Sequence, residues 1–430
     1  MPVKPGSAKP APEALAGLDL RWHPRHLLLA PHRLAFFLAM VLLAASGLWW
    51  AWVQVSQLSN VAVHPGAVPV SLTHAALMVF GFFPLFFSGF LFTAGPKWLR
   101  VEPRPVRVLR APLALLAGGW LVWLGGAHVS RAAACAGAVL ACTAMAWISV
   151  SFWRLLLCSR AQDQNHARMV GVAFVVGTGC AAGLAVGVAL GEWGLARQFV
   201  LSALWGFAVL VFVTVAHRML PFFSPPGPDD GHPWGALALL AGAAGFEALA
   251  VWVDAVLAAA TEWVGAWTLL HGVLELALGS VLLWRAWGWA RRQSLRNRLL
   301  RMFYLGFAWL GLAFVLHGVA RGAELLGHPQ WQLGALHALT MGCLASLMLA
   351  MVTRVSCGNS GRSQVADSVL WALFNLLQLA TVLRVAAALG GSAAPALLAL
   401  AAMLWATVSL VWALRLGSWY GRLRPDGRAG

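Results

Sequence analysis

Twelve stretches of about 20 predominantly apolar residues recur along this chain, each long enough to cross a hydrocarbon core as a helix. Their centres fall within 33–55, 71–95, 107–127, 132–156, 168–189, 196–216, 234–254, 264–287, 299–319, 331–353, 367–388 and 394–416. The connections are short, and breakers such as Ser224–Pro228 (SPPGP) lie between spans, where turns belong. Composition leaves no room for a separate globular domain. Of 430 residues 60% are hydrophobic and only 10% charged, against about 25% charged in soluble domains. The expected fold is all-α, a polytopic bundle in one membrane domain over 33–416, with tails at 1–32 and 417–430. The first tail has no apolar core before a cleavage-like site, so it reads as cytosolic and not as a removed signal peptide.

Basic residues set the orientation of such a bundle. With the N-terminus inside, only Arg131, Arg197, Arg321 and Arg384 of the 30 Lys and Arg residues fall on outer segments. The other 26 fall on inner ones, which predicts an N-in, C-in topology. The net charge of +16 is thus mainly a topology signal, and a nucleic-acid role has little to rest on. The expected partner is the lipid bilayer. The six cysteines form no C-x-x-C pair, which argues against a zinc site and against a disulfide framework.

The same topology assigns depths to the histidines. His74, His271, His317 and His337 lie on four different spans at a similar depth toward the outer side, while His64, His128 and His328 lie in or beside outer loops. Ionisable groups inside a membrane are costly and are functional candidates. His74 is followed four residues on by Met78, His337 by Met341 and His271 by Glu275. Positions i and i+4 share a helix face, so each helix presents an imidazole above a thioether or carboxylate. Imidazole suits iron, copper and zinc; thioether sulfur suits Cu(I) and is also a haem axial ligand. Helix–helix hydrogen bonding is the plainer role for any one histidine, and packing the plainer role for the methionines. Glu275 can pair with an arginine or a histidine, or carry a proton. Glu247 has the same readings, with no obvious companion in sequence. His23, His26 and His32 are interrupted by Pro24 and Pro31 and do not read as a metal site.

A second polar layer lies inside. Arg218 opens the run RMLPFF, Arg354 ends the tenth span, and Gly358–Arg362 (GNSGR) follows. Such arginines either snorkel to headgroups or grip a carboxylate or another anion.

Several runs resemble the NnrS family of membrane proteins. They are Pro31–Phe37 (PHRLAFF), Met78–Phe82 (MVFGF), Gly89–Ala94 (GFLFTA) with Trp98, Arg218–Phe223, and the block from His337 through Arg354 to Arg362. The resemblance implies a haem- and copper-containing protein of the bacterial inner membrane, associated with nitric oxide stress and denitrification. It implies roles for His74, Met78, Arg218, His337, Arg354 and Arg362; His271, His317 and Met341 rest on depth and spacing. Ala76, Leu77 and Asn359 stand where family members often carry a histidine, a glutamate and a second histidine. The expected function is haem or copper binding, with NO as ligand and an unidentified electron donor. The alternative is a transporter in which the same histidines form a proton or Cu(I) path. No P-loop, His-Glu-x-x-His or strand-linked glycine fingerprint appears, and the His-His pair and His-Pro-Glu motif of haem-copper oxidases are absent.

Overall fold

A computed structural model describes residues 21–59, 61, 66–219, 233–258, 261–292 and 295–424. His64, the Ser224–Pro228 breaker and positions 220–223 of the RMLPFF run lie outside the described residues. Twelve helices are long and apolar enough to cross a membrane, as the sequence predicts. They are α1 (Pro31–Leu58), α2 (Val70–Leu99), α3 (Val106–Val129), α4 (Arg131–Leu157), α5 (Asn165–Leu190) and α6 (Trp193–Met219). Then follow α7 (Trp234–Leu257), α8 (Glu262–Arg291), α9 (Arg298–Leu325), α10 (Trp331–Asn359), α11 (Ser368–Ala387) and α12 (Ala394–Tyr420). No strand occurs among the described residues.

Capping chemistry moves the helix ends away from where apolarity alone sets them. Ser130 is the single residue between α3 and α4, and its side chain accepts from the Ala133 N–H at 3.1 Å. Asn297 caps α9 through the N–H groups of Leu299 and Leu300. Asp367, inside a predicted span, instead caps α11 by accepting from Leu370 N–H, and it pairs with Arg415. Burial acts to raise its carboxyl pKa, but the hydrogen bonds from Leu370 and Arg415 hold it below the usual carboxylate range. The two chain ends meet on one side of the bundle, as an even number of crossings requires. His23 N–H donates to the Gly421 carbonyl at 2.8 Å, and Arg33 donates to the Tyr420 and Arg422 carbonyls.

Burial sorts the twelve helices into two classes. The apolar windows of α2, α6 and α10 are 83%, 83% and 78% buried, whereas the other nine range from 28% to 56%. The outer helices leave large apolar side chains exposed, such as Leu249, Leu269, Trp284 and Leu414. In a membrane these face acyl chains. Each of the three central helices contains one π-helical segment: Leu77–Gly81, Leu204–Val209 and Ala338–Ala345. They recur on every fourth span. Such segments widen a helix locally and are frequent at functional sites. Here one starts three residues after His74 and another directly after His337.

Small residues draw α8 and α9 together, as expected where lipid supplies no hydrophobic drive between helices. A Cβ on Gly318 would lie 2.5 Å from the Gly272 carbonyl, and one on Gly279 would lie 2.7 Å from that of Gly311. This seam sets His271 and Glu275 of α8 against His317 and Arg321 of α9. Gly318→Val should therefore lower stability by about 1–3 kcal/mol through overpacking. Gly322→Ala, where nothing lies within 4 Å of the added methyl, should be neutral. Thermal unfolding of the two variants in detergent checks the contrast; equal melting temperatures would contradict the seam.

Candidate functional site

The three central helices leave a cavity of about 110 Å³ between them, and His74, Met78, His337 and Met341 all line it. The cavity is bounded by the π-helical segments of α2, α6 and α10, with α1, α11 and α12 contributing Trp50, Arg384 and Trp405. Two imidazoles and two thioethers that are far apart in sequence thus face one small space.

Their surroundings constrain both imidazoles. His337 Nδ1 lies 2.7 Å from the Leu333 carbonyl. A carbonyl only accepts, so Nδ1 carries the proton and Nε2 keeps its lone pair. This is the arrangement in which metal-ligating histidines are held. The His74 ring stacks on Trp50 with centroids 3.8 Å apart and planes 16° apart. Its Nδ1 is buried without a hydrogen-bond partner, and an unmade bond of this kind is costly unless something binds there. Phe82 and Phe83 close the inner side of the cavity. Below them Phe83 packs on Phe87 and Phe212, and Phe86 on Trp412. On the outer side a recess of about 450 Å³, lined by Gln54, Gln57 and Gln330, shares Arg384 and Leu398 with the cavity wall. Arg384 has no carboxylate partner among the described residues.

Mixed imidazole and thioether donors suit copper, and the cavity has room for an ion and a diatomic molecule. Imidazole and thioether are also axial ligands of haem iron.

His271 and His317 do not join this cavity, so the predicted layer of four histidines divides in two. His271 Nε2 lies 3.2 Å from Glu247 Oε2 and 3.5 Å from Glu275 Oε1. Glu247, without an obvious companion in sequence, finds one in His271. Arg321 Nε donates to Glu275 Oε2 at 3.1 Å, and Arg321 Nη2 donates to Asp254 Oδ2 at 3.2 Å. His317 sits beside this group, its Nδ1 3.2 Å from Gln332 Oε1.

The inner arginines lie elsewhere again, and none lines the cavity. The Arg218 guanidinium is 4.7 Å from the centre of the Trp98 ring, with Nη1 3.3 Å from His166 Nδ1; His166 in turn contacts His217 at 3.0 Å. Arg362 lies 4.5 Å over the Trp419 ring, and Arg354 is half-buried near the inner end of α10. His26 Nδ1 donates to the Gly421 carbonyl at 2.8 Å, a packing role.

Sequence reading missed Arg384, Trp50, Asp254 and Arg321 as site residues. A signal existed for the two arginines: both are among the four basic residues that fall on outer segments. Arg321 and Glu275 form a pair whose side chains are 11% and 1% exposed. Removing one partner of a buried pair costs about 3–5 kcal/mol, so Arg321→Met should unfold the protein markedly earlier on heating. Arg415→Met breaks a pair with side chains 26% and 51% exposed, and its cost should stay within about 1 kcal/mol. Calorimetry in detergent measures both; a reversed ranking would contradict the buried assignment.

The family model described as NnrS protein matches residues 26–424, nearly the whole chain. No curated protein matches the chain.

Proposed function

The chain belongs to the NnrS family, and from that premise we propose that it binds copper through His74, His337, Met78 and Met341 and takes up nitric oxide beside it. The observation that carries this reading is the convergence of those four side chains on one cavity. Copper held there would supply an open coordination position for a diatomic ligand. The protein's own part is to orient the donors. Leu333 sets the His337 tautomer, Trp50 fixes the plane of the His74 ring, and the π-helical segments carry Met78 and Met341 into the same space. Nitric oxide is small and weakly polar and dissolves in bilayers, so a cavity lined mostly by apolar atoms suits it. Arg384 stands between the cavity and the outer recess, where it would steer an anion or hold a water at the mouth.

The proposed setting is the bacterial inner membrane, in the response to nitrosative stress and in denitrification, with an electron donor outside this chain. The haem implied by the family resemblance is not assigned to particular residues here. A transport path is less well supported, because the packed ring of Phe83, Phe87 and Phe212 lies beneath the cavity.

The test is copper content with the infrared N–O stretch after exposure of the reduced protein to nitric oxide. One copper per chain and a new N–O band are expected for the intact protein, and both should vanish in His74→Ala/His337→Ala. Met341→Leu keeps the volume, costs under about 1.5 kcal/mol in stability, and should weaken Cu(I) binding while leaving the fold. Full copper loading and an unchanged band in the double histidine variant would overturn the assignment.

A further inference from the structure

We propose that Glu247, His271 and Glu275 form a second metal site, separate from the cavity of His74 and His337, for a divalent cation of the Zn²⁺, Fe²⁺ or Mn²⁺ class. The three residues are 5%, 0% and 2% exposed, and one donor atom from each lies within 4.8 Å of the others. They come from α7 and α8, and the glycine seam between α8 and α9 presses Arg321 and His317 against them. None of them lines the other cavity.

The spacing matches a coordination shell. Metal–ligand bonds of about 2.0–2.2 Å put neighbouring ligands roughly 3.0 Å apart in an octahedron and roughly 3.4 Å apart in a tetrahedron. His271 Nε2 is 3.2 and 3.3 Å from the two Glu247 oxygens and 3.5 Å from Glu275 Oε1. The remaining Glu275 oxygen accepts from Arg321 at 3.1 Å, the outer hydrogen bond that ligating carboxylates usually have. Two carboxylates and an imidazole, with no sulfur, select divalent zinc, iron or manganese over Cu(I).

Charge balance points the same way. When ionised, Glu247, Glu275 and Asp254 carry three negative charges against the one positive charge of Arg321, with His271 the further titratable group in contact with the two glutamates. That surplus must be cancelled by protons on the cluster or by a cation, since uncompensated charge inside a membrane is expensive, and one divalent cation would cancel it. Independently, His317 is 9% exposed and its Nε2 is buried without a partner. Gln332 Oε1 can only accept, so His317 Nδ1 carries the ring proton and Nε2 keeps a free lone pair. His317 lies on α9, which the glycine seam packs against the helix that carries His271 and Glu275.

The experiment uses the full chain with His74→Ala/His337→Ala, so that only the second site remains. After stripping with chelator, the protein in detergent is titrated with Zn²⁺, and bound metal is counted by mass spectrometry. One Zn²⁺ per chain is expected, with a rise in melting temperature on binding. Adding Glu247→Gln, which keeps shape and removes charge, should weaken Zn²⁺ at least tenfold and abolish that rise. Loss of copper in the double histidine variant with Zn²⁺ retained separates this site from the copper reading. The proposal is overturned if the double variant binds no stoichiometric Zn²⁺, Fe²⁺ or Mn²⁺, or if Glu247→Gln binds Zn²⁺ undiminished. In the first case the cluster balances its charge with protons.

Discussion

Polar groups in hydrocarbon must be satisfied from within the protein, and that requirement shapes this molecule at each level. Backbone groups meet it by forming helices, which accounts for twelve spans and no strand among the described residues. Side chains meet it by withdrawing to the interior. His74 and His337 turn to a cavity between the central helices, and Glu247, His271, Glu275 and Arg321 turn to each other. The surface left to lipid is apolar.

The three central helices pay for this arrangement with regularity. A π-helical segment gives up the ordinary hydrogen-bond register, yet α2, α6 and α10 each contain one at the level of the cavity. The widened turns displace the helix backbones where the histidines and methionines enter. Close glycine contacts do the opposite between α8 and α9, reducing the separation until charged side chains on both helices touch. The two candidate centres thus rest on two different distortions of helix packing. One opens space for a ligand, and the other removes space around a charge cluster.

Much of this was legible in the chain. Apolar run lengths and the placement of basic residues predict the number of spans, and His74, Met78, His337 and Met341 stand out by type and spacing. The shared depth of the four histidines follows from the predicted topology. Rotation about each helix axis was not legible. A difference of less than one turn decides whether His271 faces His337 or Glu247, and hydropathy is blind to it because both directions are interior. Arg384 was equally hidden. Its position outside the basic bias marks it as unusual, but only the fold puts it at the mouth of the cavity.

The sequence by itself determined the solvent this protein lives in, the count and order of its helices, and the small set of residues too polar to face lipid. Those properties follow from local composition, which acts over about 20 residues at a time. Tertiary structure alone decided which polar residues meet. Glu247 and His271, which touch, and His74 and His337, which line one cavity, lie on different spans, and their meeting depends on helix rotation and separation set by glycine seams and π-helical turns. Local composition does not encode those quantities, so one predicted layer of histidines divides into two separate groups.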